Sequence, residues 1–242
     1  SDYNGEDISC FGGNDGKFYT HINGGTPPYT YAWTGPNGFT ATTNDSITGL
    51  SAGNYSVIVT DSKGCILPTL SVTLNEPLQI VVTTNPTSPL CNGGNDGAIT
   101  VTNISGGIST LPYSYSWNTI PLQTGTNATS LSAGTYTLTV TDDNGCSISH
   151  QDIVNEPAAP SMNITSANAP VSINPLKFEV CDGNNISLTA TPGFVSYSWS
   201  PNIWLNTNSG STVVSTPNSP GMTYTCTGTD ISGCTVGTKP FI

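Results

Sequence analysis

The chain has 242 residues, of which only 8% are charged, and its net charge of −11 leaves Lys17, Lys63, Lys177 and Lys239 as the whole of its basic complement, with no arginine. Without a lysine or arginine cluster it lacks the surface that releases counterions from phosphate backbones, which excludes nucleic acid and disfavours an anionic membrane. No apolar run approaches the roughly 18 residues of a membrane-spanning helix and residues 1–7 are polar, so direct membrane insertion is not expected and any export signal lies outside the chain.

In chain order, the first turn is Cys10-Phe-Gly-Gly-Asn-Asp-Gly16. Next come Gly24-Gly-Thr-Pro-Pro-Tyr-Thr-Tyr31 with Trp33, then Leu50-Ser-Ala-Gly-Asn-Tyr55. From there Tyr55, Val57 and Val59 alternate with polar residues, the period of a half-buried strand, before Asp61-Ser-Lys-Gly-Cys65 turns the chain and Asn75-Glu-Pro77 closes the unit. The pattern then starts again. Cys91, Leu131, Tyr136, Asp142 and Cys146 each follow their counterparts Cys10, Leu50, Tyr55, Asp61 and Cys65 by 81 residues, and Asn155-Glu-Pro157 ends the second unit. A divergent third unit keeps Cys181-Asp-Gly, Tyr197-Ser-Trp199, Tyr224 and Asp230-Ile-Ser-Gly-Cys234.

Repeats of this length with turn signals every ten residues or so and no helical period predict an all-β chain, a tandem array of three immunoglobulin-like antiparallel β-sandwich modules. The expected domains are residues 1–77, 78–157 and 158–242, with first strands at 78–83 and 161–165. The first unit lacks that strand and is expected to begin inside a repeat. Trp33, Trp117 and Trp199 are expected to pack in the cores against disulfides, and Tyr55, Tyr136 and Tyr224 to serve as tyrosine corners. Placed end to end, three sandwiches would make a rod of roughly 110 Å.

Seven cysteines among so few charges point to an oxidising, extracellular compartment. The equal spacing suggests Cys10 with Cys65 and Cys91 with Cys146, each closing a loop of 55 residues, and Cys181 with Cys234 in the third unit. Cys226 would then be a buried thiol, with Cys181 to Cys226 as the rival pairing. If each pair closes within its own unit, Asp15, Asp96 and Asp182 come beside Asp61, Asp142 and Asp230, where hard oxygen ligands could hold Ca²⁺ with Glu76 or Glu156 nearby. Ordinary turn chemistry at Asn-Asp-Gly and Asp-x-x-Gly is the competing reading, and no other cofactor is expected. Asp45-Ser46-Ile47 fits a short O-glycosylation pattern at Ser46.

His21 and His150 belong to no recognisable nucleophile and base set, and no nucleophile elbow, zinc-protease or phosphate-loop motif occurs, so the chain is not expected to be an enzyme.

Taken together, Cys-x-Gly-Gly-Asn-Asp-Gly, Gly-Gly-x-x-Pro-Tyr-x-Tyr-x-Trp, Leu-Ser-Ala-Gly-x-Tyr and Asp-x-x-Gly-Cys resemble the SprB repeat of Bacteroidota over residues 8–77 and 88–157. Residues 158–242 look like the immunoglobulin-like modules found beside such repeats. The resemblance implies a giant cell-surface adhesin, exported by the type IX system, that gliding cells move along their surface. Its expected partners are neighbouring repeats of the same chain, surface or polysaccharide ligands, and the motility and secretion machinery. Two other readings are a set of carbohydrate-binding modules, in which exposed Trp204 or Phe39 would stack on sugars, and accessory modules of a secreted hydrolase.

Overall fold

Period-two sequences fold here as period two. The computed structural model describes residues 3, 5–42, 45–108, 112–166, 172–173, 176–177, 184–218 and 222–238, whose regular elements are all β-strands apart from one short 3-10 turn at Pro36–Gly38. The first repeat supplies strands β1 (Gly16–Tyr19), β2 (Thr30–Thr34), β3 (Thr40–Ala41), β4 (Ser46–Leu50), β5 (Gly53–Thr60) and β6 (Leu70–Leu74). The second supplies β7 (Val81–Thr87), β8 (Gly97–Ser105), β9 (Ser114–Trp117), β10 (Asn127–Leu131), β11 (Gly134–Thr141) and β12 (Ser147–Val154). The third supplies β13 (Ile164–Ser166), β14 (Ser172–Ile173), β15 (Leu176–Lys177), β16 (Ile186–Ala190), β17 (Ser196–Ser200), β18 (Thr212–Ser215), β19 (Thr225–Thr229) and β20 (Thr235–Thr238). The opening strands of the second and third repeats thus begin about three residues later than the sequence suggests.

Each repeat pairs its strands into small antiparallel sheets. In the first, β1 pairs β4 and a second sheet runs β3-β2-β5-β6; in the second the orders are β10-β8-β7 and β12-β11-β9; in the third, β13-β16-β18 and β17-β19-β20, with a small β14-β15 ribbon. In the first repeat Ile47 and Leu50 of one sheet meet Trp33, Tyr55, Val57 and Leu74 of the other around a common core, which makes it a sandwich. The third repeat does the same with Ile164, Ile186, Leu188 and Val213 against Trp199 and Cys226.

Tyr55, Val57 and Val59 are the buried side chains of β5, and Ile58 between them faces outward. Trp33, Trp117 and Trp199 are at most 2% exposed. Trp33 packs edge-on against Phe18 with ring centroids 5.1 Å apart. The core tryptophans were expected to lie on disulfides; both disulfides described below join loops instead, so the Trp33 pocket is filled by aromatic and aliphatic side chains. Tyr55 is a tyrosine corner, its hydroxyl donating to the Ser51 carbonyl four residues upstream at 3.0 Å. Tyr224 is tied differently, donating to the Ile203 carbonyl at 2.7 Å with Ser215 Oγ 3.0 Å away.

Contacts divide the chain into two compact units. One comprises Ser1–Pro86, Ile99–Ala128 and Thr135–Ile153; the other comprises Thr87–Ala98, Thr129–Gly134 and Val154–Ile242. Sequence from the second repeat therefore enters both units.

Candidate functional site

The repeated motifs collect at the two ends of the sandwich, as the first repeat shows. At one end Asp61 organises the turn: its Oδ1 accepts the amides of Lys63 at 2.9 Å and Cys65 at 2.8 Å, and its Oδ2 accepts that of Thr26 at 3.0 Å. Its backbone N–H donates to the Cys65 carbonyl at 3.0 Å, and Gly64 takes a φ of +81° that favours glycine. Tyr29 closes the same end by donating to the Gly24 carbonyl at 2.7 Å, which accounts for the Gly-Gly-x-x-Pro-Tyr string. The second repeat reproduces this geometry, with Asp142 accepting Asn144, Cys146 and Ile108, and Tyr113 donating to Gly106.

At the other end of the first repeat sits the Cys10 loop. Asp15 Oδ1 accepts the Ser9 amide at 3.1 Å, Gly13 donates to the Cys10 carbonyl at 2.9 Å, and Glu76 of Asn-Glu-Pro accepts the Gly12 amide at 2.6 Å. A Cβ on Gly16 would lie 2.6 Å from Ile8 and 2.8 Å from the Leu50 carbonyl, so only glycine lets the chain pass. The second repeat again matches: Asp96 accepts Leu90, Glu156 accepts Gly93, and Asn92 donates to the Pro157 carbonyl.

This arrangement corrects the expected disulfides. Gly53 of β5 pairs with Leu74 beside the Cys10 loop, whereas Thr60 leads into the Asp61 turn, so the eight residues of β5 separate Cys10 from Cys65. At about 3.3 Å per residue that is roughly 25 Å, against the limit of about 7 Å between Cα atoms that a disulfide spans. Cys10 bonds Cys146 and Cys91 bonds Cys234, with Cα separations of 5.6 and 5.4 Å. Neither Cys10–Cys65, Cys91–Cys146 nor Cys181–Cys234 forms. Cys181 itself, with Asp182, lies outside the described residues.

Each bond joins the Cys-x-Gly-Gly loop of one repeat to the Asp-x-x-Gly-Cys turn of the next. Around Cys10–Cys146, Phe11, Pro77, Leu78, Ile80, Gly107 and Ile148 line a groove of about 330 Å³, and Asn144 donates from its side chain to the Ser9 carbonyl at 3.3 Å. Among the described residues two cysteines remain as thiols: Cys65, exposed on its turn, and Cys226, fully buried with its sulfur 4.0 Å from that of Met162. Burial pushes the Cys226 thiol up to about 11, so it stays protonated and unreactive as the sequence suggested, and the rival Cys181–Cys226 bond is absent.

The carboxylates expected to face one another across each bond do not do so in the first repeat. Asp15 and Asp61 sit at opposite ends, and Asp15, Asp61, Asp96, Asp142 and Asp230 each accept backbone amides. Among the described residues no group of three or more His, Cys, Asp or Glu side chains comes together to hold a metal. The Cys65 amide first, then that of Thr26, hold the Asp61 carboxyl below its ordinary value of 3.8, and for Asp15 burial opposes but the Ser9 amide and hydroxyl outweigh it in the same direction. A folded-state value below the unfolded one means the stabilisation is present above pH 3.8 and is lost as pH falls through the lowered value. The melting temperature is therefore expected to fall as pH drops below about 3.8, and Asp61→Asn to make that dependence shallower; an unchanged slope would contradict the role of Asp61.

Phe39, expected as an exposed sugar-stacking ring, is half-buried, edge-on to Tyr55 with centroids 5.6 Å apart. Trp204 is half-buried with a φ of +60°. Ser46 opens β4 opposite Tyr19, and His21 is exposed. His150 is less isolated than the sequence suggests: its Nε2 lies 3.2 Å from Thr84 Oγ1 and 3.7 Å from Asp152 Oδ1, and Thr84 donates to Asp152 at 2.9 Å. Because Thr84 donates to the carboxylate directly, this is a strand-to-strand polar contact without the nucleophile, base and orienter relay.

The family model of the SprB repeat matches residues 3–38 and 83–121, the first halves of the two close copies. Among solved structures, the chain is similar to the N-terminal eight Ig domains of Down Syndrome Cell Adhesion Molecule, with 14% identity and a TM-score of 0.36, over 98% of this chain and 34% of that one. It is also similar to a structure from a 1.5-MDa bacterial ice-binding adhesin, with 14% identity and a TM-score of 0.40, over 98% and 93%. The Bacteroides ovatus protein SGBP-B of a mixed-linkage glucan utilization locus, in complex with a heptasaccharide, matches with 14% identity and a TM-score of 0.17, over 88% and 60%. The chain spans about a third of the length of the first of these structures. Among curated proteins none matches.

Proposed function

We propose that this chain, which carries SprB repeats in tandem, is an extracellular segment of a large cell-surface adhesin of gliding bacteria, where it transmits load between the cell and what the cell adheres to. The observation that carries this reading is the pair of bonds Cys10–Cys146 and Cys91–Cys234, each tying one repeat to its successor. A tether that must stay short when pulled gains from covalent ties placed between its modules, because unfolding one sandwich then releases little chain. The bonds also support a location where thiols are oxidised, outside the cytoplasm. The chemistry that the two close repeats share, loop ends built from glycines, carboxylates and cysteines, is joint chemistry, which supports a mechanical role. Export by the type IX system and contact with the motility machinery belong to this reading, with surface polysaccharide as the adhesion ligand.

The test uses the producing organism. An antibody raised against the chain is expected to label intact cells, with the label lost after mild surface proteolysis, and deletion of the encoding segment is expected to abolish colony spreading. Absence of surface label would overturn the location. Surface label with undiminished spreading would overturn the gliding role.

A further inference from the structure

Cys65 sits on a turn that is the third copy of a bonding device whose other two copies are both engaged. In all three copies the aspartate N–H donates to the cysteine carbonyl, at 3.0 Å for Asp61, 3.0 Å for Asp142 and 2.9 Å for Asp230. In all three the aspartate Oδ1 accepts the cysteine amide, at 2.8, 2.9 and 2.9 Å. The glycine before the cysteine has a φ of +81°, +82° and +86°. Two of these turns hold their cysteine in a disulfide, and each partner is the cysteine of a Cys-x-Gly-Gly loop one repeat earlier. Cys65 is exposed, a thiol, and followed by Ile66, which is 69% exposed and bridges back to Thr60.

We propose that Cys65 is the docking cysteine for a repeat of the same kind placed one period ahead of this one, and that its partner is the Cys-x-Gly-Gly-Asn-Asp-Gly cysteine of that repeat. The joint thereby propagates: every repeat receives a bond at its Asp-x-x-Gly-Cys turn and gives one from its Cys-x-Gly-Gly loop. Closure consumes one low-molecular-weight disulfide. The Cys65 thiolate attacks it and expels one thiolate, and the incoming cysteine's thiolate then attacks the Cys65 sulfur of the mixed disulfide and expels the second. The two protons lost by the cysteines end on the two released thiols, so two cysteines are oxidised and one small disulfide is reduced. The inference rests on the repeat geometry alone and stands or falls apart from the adhesin reading.

The experiment extends the chain in register. Residues 1–81 are duplicated ahead of Ser1, the product is folded with oxidised glutathione, and disulfides are mapped by non-reducing digestion after native alkylation. In the 242-residue chain, alkylation is expected at Cys65 and not at Cys226. In the extended chain, the Cys65 that follows the added copy is expected to lose at least nine-tenths of its labelling and to appear linked to the added copy's Cys10, while the added copy's own Cys65 becomes the labelled one. The Cys10–Cys146 and Cys91–Cys234 links in the same digest report that the rest has folded. A second extended chain with residues 82–162 as the added copy, which supplies Cys91 in place of Cys10, makes the same prediction with a different leading repeat. Undiminished labelling of the following Cys65, a bond to the Cys10 of its own repeat, or a Cys65–Cys65 cross-linked dimer would each overturn the proposal.

Discussion

Pulled from its termini until every sandwich has unfolded, the oxidised chain is expected to reach a contour length of about 250 Å, against about 850 Å after reduction, at roughly 3.5 Å per residue. The difference follows from the order of the bonds. Force entering at Ser1 crosses from Cys10 to Cys146, runs back along the chain to Cys91, and crosses to Cys234, so only residues 1–10, 91–146 and 234–242 lie in series as the shortest path. Cys65→Ser is expected to leave the oxidised length unchanged. A gain of about 190 Å in that variant would instead mean that Cys65 closes a loop of 55 residues within its own repeat.

The second large effect is on stability. Cys10–Cys146 spans 136 residues and Cys91–Cys234 spans 143. In the chain-entropy model, each restricts the unfolded chain by about 5 kcal/mol. Cys146→Ser is therefore expected to lower the stability of the unit that contains it by up to that amount in urea denaturation, whereas Cys65→Ser, on an exposed thiol, should shift it by under about 0.5 kcal/mol. Small sandwiches with single-repeat cores have limited apolar area to bury, so a loss of this size is a large share of what holds them. Equal losses in the two variants would contradict the bonding.

Much of this is legible in the sequence. The 81-residue period, the alternation of Tyr55, Val57 and Val59, the three core tryptophans and the buried thiol at Cys226 all follow from local pattern, because burial on one face of a strand imposes a period of two wherever the strand lies. The cysteine pairing did not follow, because equal spacing in sequence is the same whether a cysteine bonds within its repeat or to the next one. The decisive term is the length of β5: Leu50-Ser-Ala-Gly and Asp61-x-x-Gly mark its two ends, and a strand of eight residues between two cysteines holds them apart. The same strand length undid the expected meeting of Asp15 with Asp61. The contact of Thr84, His150 and Asp152 was also hidden, since it joins residues 66 and 68 apart on strands of two different sheets and no local motif announces it.

The joint also explains why the motifs have the composition they do. Glycine is required at Gly64, Gly145 and Gly233 by positive φ and at Gly16 by close passage of Ile8 and Leu50, while each aspartate satisfies amides that a tight turn would otherwise leave unpaired. Sequence identity between the first two repeats is concentrated at their ends because the ends must fit one another.

The most direct measurement is a disulfide map of the oxidised chain by non-reducing digestion and mass spectrometry. Peptides joining Cys10 to Cys146 and Cys91 to Cys234 are expected, with Cys65 recovered as a free, alkylatable thiol. Peptides joining Cys10 to Cys65 and Cys91 to Cys146 would contradict the repeat-to-repeat joint and the mechanical role built on it.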